Sequence, residues 1–125
     1  MTEAYANQTI TDDSEIIDDE QFEDMRQLLE DDFVELIQAY ITDSEQRISA
    51  LRLAQAANDN AAGFEVAHTL KGASANLGAT QLVVLSDHLQ EACRARKIDQ
   101  QSTLMDQLST ALQRVKNEIN HRLSP

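Results

Sequence analysis

The sequence predicts an all-α protein, an antiparallel four-helix bundle with a short additional N-terminal helix, and three observations lead there. Helix breakers are scarce: in 125 residues the one proline is Pro125 and the glycines are Gly63, Gly72 and Gly78, while the abundant Ala, Leu, Gln and Glu cost little in a helix. Apolar side chains recur at three- and four-residue steps over four long stretches. The gaps between those stretches are a few residues long, which forces neighbouring helices to run antiparallel and bury their stripes against one another. The length suits one domain with a real core.

Taken in order, residues 1–17 mix polar side chains without sustained periodicity and read as an acidic, flexible tail, leaving 18–125 as the domain. A short helix over about 19–29 puts Phe22, Met25, Leu28 and Leu29 on one side, with Asp18 or Asp19 as its cap. A long helix from about Asp32 to Ala57 carries the stripe Phe33, Leu36, Ile37, Tyr40, Ile41, Ile48 and Leu51. The run Asn58, Asp59, Asn60 suits a loop that ends in a new N-cap, with Asn60 preferred. The next helix spans about 61–77 and stops at Gly78, the usual residue just past a helix end. Another starts near Thr80 with Leu82, Leu85, Leu89 and Ala92 or Cys93 in the core, and ends near Lys97 with Arg94, Arg96 and Lys97 complementing the dipole. The last, about 102–123, aligns Leu104, Met105, Leu108, Leu112, Val115, Ile119 and Leu123 on a single face.

Charge is unevenly placed. Residues 1–35 hold 13 of the 22 acidic side chains against the single base Arg26, so the net charge of −12 belongs to that part, and the other 9 acids are matched by 9 bases. Most of this acidity reads as solvated tail and favourable first-helix turns. No concentrated basic face exists to neutralise phosphates, which disfavours nucleic acid as a partner. No stretch reaches the roughly 20 apolar residues of a membrane span, and no secretory signal opens the chain, so a cytoplasmic protein is expected. Cys93 stands alone and falls on a core stripe, where packing outweighs nucleophilic chemistry.

The helix over 61–77 has two unlike faces. At about 100° per residue, Val66, Leu70, Ala73 and Leu77 gather on one side, and His68, Lys71, Gly72 and Ala75 on the other. His68 therefore points away from the core. Four residues on, on the same face, sits Gly72, which costs about 1 kcal/mol against alanine inside a helix without helping the core. Such a rule-breaking position is where function is sought. With no side chain at 72 and a methyl at 75, a partner's site can reach the imidazole closely. Lys71 can place an ammonium beside a doubly negative phosphoryl group. Imidazole accepts phosphoryl groups well because much of it is neutral and nucleophilic near neutral pH without a dedicated base. Phe64, one turn before His68, either anchors a partner or folds against a neighbouring helix. Ala61, Ala75 and Ala79 either complete a shallow apolar patch around the histidine or, being small, serve ordinary close helix packing. His88 and His121 have no comparable surroundings, and no HExxH or paired-cysteine spacing supports a metal site.

Residues 67–79, AHTLKGASANLGA, resemble the signature helix of the histidine-containing phosphotransfer (HPt) family, and the likeness extends over about residues 20–123. The resemblance implies His68 as the phosphorylation site, Lys71 as phosphate neighbour and Gly72 as the gap that admits a receiver domain. It implies Gln90 on the next helix as a hydrogen-bonding partner of the imidazole. It also implies that the receiver supplies Mg²⁺ and the acceptor aspartate, so the chain needs no cofactor of its own. The expected protein is a monomeric phosphocarrier between the receivers of a hybrid histidine kinase and a response regulator. No glycine-rich phosphate loop supports autophosphorylation from ATP. The alternative is a helical adaptor that binds and regulates a receiver without carrying phosphate.

Overall fold

Asp18 starts the first helix: its backbone is extended (φ −65°, ψ 116°) and its carboxylate accepts from the Gln21 N–H at 2.9 Å, which satisfies one of the orphan donors of a helix start. In the computed structural model, which describes residues 15–124, the helices are α1 (Asp19–Leu29), α2 (Phe33–Ala56), α3 (Asn60–Leu77), α4 (Thr80–Arg94) and α5 (Ser102–Leu123). Short 3₁₀ turns at Glu30–Asp32 and Ile98–Gln100 join α1 to α2 and α4 to α5. α3 packs most intimately on α4 and next on α2, and α5 closes the ring by touching both α2 and α4. The result is an antiparallel four-helix bundle, without a strand among the described residues, and α1 lies against α2 and α3. No helix among them is long and apolar enough to cross a membrane.

The tail expected at 1–17 falls mainly on residues 1–14, which lie outside the described residues. Its last three positions need correction, because they pack onto the domain. Ile17 is fully buried, the Thr80 hydroxyl donates to the Glu15 carbonyl at 2.8 Å, and the Asp18 N–H donates to the Gly78 carbonyl at 2.8 Å.

Three helices end the same way, with a left-handed residue that lets the next N–H groups turn back onto the last carbonyls. Gly78 does this for α3 (φ 85°), Asn58 for α2 (φ 51°) and Arg96 for α4 (φ 63°). α4 was expected to reach Lys97, but the Arg96 N–H returns to the Cys93 carbonyl and the Lys97 N–H to the Ala92 carbonyl, so only Arg94 lies in its last turn. At Gly78 the space is also filled: a Cβ there would lie 3.1 Å from Asp18 Cβ and 3.3 Å from Gln21 Cβ. The cap of α3 is Asp59, whose carboxylate accepts from the Ala62 N–H at 3.0 Å, and not Asn60. The Asn60 amide oxygen instead accepts from the Ile98 N–H at 3.0 Å, tying the start of α3 to the turn after α4. A carboxylate suits the positive helix end better than an amide does, which leaves Asn60 for the cross-link.

The core contains the predicted stripes with informative departures. Leu28 is 82% exposed and Leu36 44% exposed, because α1 meets α2 and α3 through Phe22 while Leu36 lines an open groove. Cys93, not Ala92, fills the core position of α4, and burial pushes its thiol pKa up. Ser74 is fully buried on α3, where its hydroxyl shares a 2.8 Å hydrogen bond with Tyr40 of α2. Burial raises the Tyr40 phenol above its ordinary 10.0, with the hydrogen bond to Ser74 opposing the shift. The folded chain therefore holds that proton more tightly than the unfolded chain. The resulting stability is complete below the unfolded-state value and is lost as pH rises through the folded one. Tyr40→Phe leaves the Ser74 hydroxyl without this partner and is expected to cost about 1 kcal/mol. Thermal denaturation at neutral pH checks the loss, and the variant should also lose part of the wild-type decline in stability at high pH.

Candidate functional site

α3 presents a buried row of Gly63, Ala67, Leu70, Ser74 and Leu77 to the bundle, and His68, Gly72 and Ala75 stand exposed. Val66 and Ala73, expected in the core, are only half-buried. The buried row is turned slightly from the apolar pattern, with Ser74 on the inward side beside Tyr40. His68 still lies on the outward side.

Gly63 and Gly72 share α3 but not their reasons. A Cβ at Gly63 would lie 2.5 Å from Ile98 Cδ1 and 2.9 Å from Cys93 Sγ, so close packing accounts for the glycine. A Cβ at Gly72 would meet nothing within 4 Å. Its φ lies outside the left-handed region, since Gly78 is the only described glycine with a positive φ. Neither packing nor backbone conformation within this chain therefore requires the glycine at 72, one turn beyond the histidine.

Contacts between α3 and α4 fix what stands level with His68. Lys71 Nζ pairs with Asp87 Oδ1 at 3.0 Å, both side chains being partly buried. Three residues back along α3 and three forward along α4 lie His68 and Gln90. Four further in each direction lie Phe64 and Arg94, where the guanidinium carbon sits 5.4 Å from the ring centroid. An antiparallel pair with matching contacts above and below places Gln90 opposite His68 in register. Gln90 is 5% exposed, and its Oε1 is buried without a hydrogen-bond partner. Phe64 is half-buried, its ring parallel to that of His68 (3° between planes, centroids 6.2 Å apart).

The structure thus brings His68, Lys71, Gly72, Gln90, Phe64 and Ala75 to one region of the α3–α4 face. Ala79 does not join them. It is 0% exposed, because the chain turns inward at Gly78 and the Ala79 N–H bonds back to the Ser74 carbonyl at 2.9 Å. The apolar patch expected there is consequently smaller, with Ala61 and Ala75 exposed. Two residues of the region went unnoticed in the sequence reading of the site: Asp87, which holds the Lys71 ammonium, and Arg94, credited only with complementing a helix dipole. Both follow from the register once α3 and α4 are paired across the Gly78 turn. On the α2 side of α3 lies an open groove of about 320 Å³ bordered by Met25, Leu36, Tyr40, Arg47, Ala73 and Asn76.

Fold and site together define a class of protein, a helical bundle that offers a surface histidine for chemistry. The chain belongs to the Hpt domain family, whose pattern matches residues 35–118. It is similar to the histidine-containing phosphotransfer protein B of Pseudomonas aeruginosa PAO1, at 27% sequence identity and a TM-score of 0.83, over 87% of this chain and 95% of that one. No curated protein sequence matches it. Members of this family are phosphocarriers of phosphorelays that interact with receiver domains.

Proposed function

We propose that His68 carries the phosphoryl group, taking it from the aspartate of one receiver domain and giving it to the aspartate of another. One observation carries the assignment: the exposed imidazole is followed one turn later by a glycine that nothing in the chain requires. A lone pair on the neutral imidazole attacks phosphorus, the nitrogen–phosphorus bond forms, and the bond to the aspartyl oxygen breaks. The carboxylate leaves with the electron pair. The attacking nitrogen bears no proton, so no base is needed at that atom. The reverse sequence of bonds delivers the group onward.

Lys71 stands one turn from the imidazole, and its ion pair with Asp87 holds the ammonium against the α3–α4 seam. From there it offsets part of the incoming charge. Gly72 and Ala75 give the visiting domain its approach. Gln90, level with His68 and with an unsatisfied amide oxygen, supplies a polar group beneath the imidazole. Mg²⁺ and the acceptor carboxylate come from the receiver. The chain acts as a monomeric, cytoplasmic carrier between a hybrid histidine kinase and a response regulator, with no autokinase step of its own.

The test is to incubate the purified chain with receiver domains phosphorylated on aspartate. Label that is acid-labile and alkali-stable should appear on this chain and then pass to a second receiver. Binding to receivers without label, across a panel of them, would overturn the carrier reading in favour of an adaptor.

A further inference from the structure

Phe64 makes ring contacts with two charged or chargeable groups, and neither contact is one that a hydrophobic residue makes merely to be buried. The Arg94 guanidinium carbon lies 5.4 Å from its ring centroid. The His68 ring runs parallel to it within 3°, at 6.2 Å. Arg94 is itself steadied from its own helix, Nε being 3.6 Å from Glu91 Oε1. Both arginine and glutamate side chains are more than half exposed, so this row of side chains stands at the surface of the α3–α4 seam.

We infer that Phe64, backed by Arg94, is a positioning residue that orients the His68 imidazole for phosphoryl transfer. This inference rests on His68 being the phosphoryl carrier. An outward histidine on a helix has several side-chain rotamers open to it unless a neighbour restricts it. A visiting aspartyl phosphate needs one ring nitrogen in line with the breaking bond. The parallel Phe64 ring disfavours ring orientations that would break the stack, and the guanidinium over the Phe64 ring limits how far Phe64 can itself rotate. Anchoring a receiver would require the Phe64 face to be free. In this arrangement Arg94 and His68 each take part of it.

The experiment measures transfer from a phosphorylated receiver at increasing receiver concentrations, for the wild type, Phe64→Leu, Phe64→Tyr and Arg94→Ala. Leucine keeps apolar bulk but has no ring to stack, so the saturating rate is expected to fall about five-fold with the half-saturating concentration nearly unchanged. Tyrosine restores the ring and should return the rate to within about two-fold of wild type. Arg94→Ala, at an exposed helix end where folding is not at risk, should lower the saturating rate by a smaller factor. The His68 imidazole resonances should shift in Phe64→Leu and not in Phe64→Tyr. An unchanged saturating rate in Phe64→Leu, or a change confined to the half-saturating concentration, overturns the inference. If the wild type takes no label at all, it is the carrier assignment that fails.

Discussion

His68→Gln is expected to reduce receiver-to-chain phosphotransfer to background while leaving the fold intact. Glutamine is close in length and tolerates a helix interior, yet its amide has no nucleophilic lone pair on nitrogen, so no phosphoramidate can form. The side chain at 68 is exposed, and an exposed substitution of this kind changes stability by no more than about 0.5 kcal/mol. Circular dichroism and the thermal midpoint should therefore match the wild type. The variant should still bind receivers. A labelled His68→Gln protein would show that phosphate resides elsewhere, with His88 or His121 as the remaining imidazoles to examine.

Gly72→Leu should separate stability from function in opposite directions. Beyond the local backbone of its own helix, nothing lies within 4 Å of the Cβ that leucine introduces, and replacing a helix-interior glycine by a good helix former gains up to about 1 kcal/mol. The thermal midpoint should rise by a few degrees. Transfer should fall about 100-fold, because the added isobutyl group occupies the approach to a reaction that tolerates little displacement. Phosphotransfer assays and thermal melts on the same preparation check both halves. A variant that transfers normally would remove the steric role from Gly72. Gly63 supplies the internal control: on the same helix, it faces Ile98 and Cys93 at distances where a Cβ does not fit, so its glycine belongs to packing.

Much of this was legible in the amino-acid sequence. Apolar spacing reports the angular face of each helix and placed His68 outward, and the glycine at 78 marked the exit of α3. The Lys71–Gly72 pair marked the site because a glycine inside a strong helix contradicts local propensity. Spacing along one helix does not say which neighbour it meets, and the departures come from there. Leu36 reads as core but borders the open groove. Ser74 has no place in the apolar spacing, yet it is buried where its hydroxyl meets Tyr40. Ala79 reads as part of a surface patch, although the Gly78 turn folds it under. The Lys71–Asp87 and Phe64–Arg94 contacts join residues on separate helices, so they emerge only once two antiparallel helices are laid in register.

The family pattern begins at residue 35, yet the stretch before it fastens the far end of the helix that bears His68. The Gln21 amide donates to the Ala75 and Asn76 carbonyls at 2.6 and 3.0 Å, and the Asp18 N–H donates to the Gly78 carbonyl. Arg122, from the last turn of α5, pairs with Asp19 and reaches the Ile17 carbonyl at 3.3 Å. A shortened protein trimmed to the family pattern would expose those carbonyls to water and let the final turn of α3 unwind toward His68. Residues that never touch a visiting domain would in that way govern how firmly the docking platform is held.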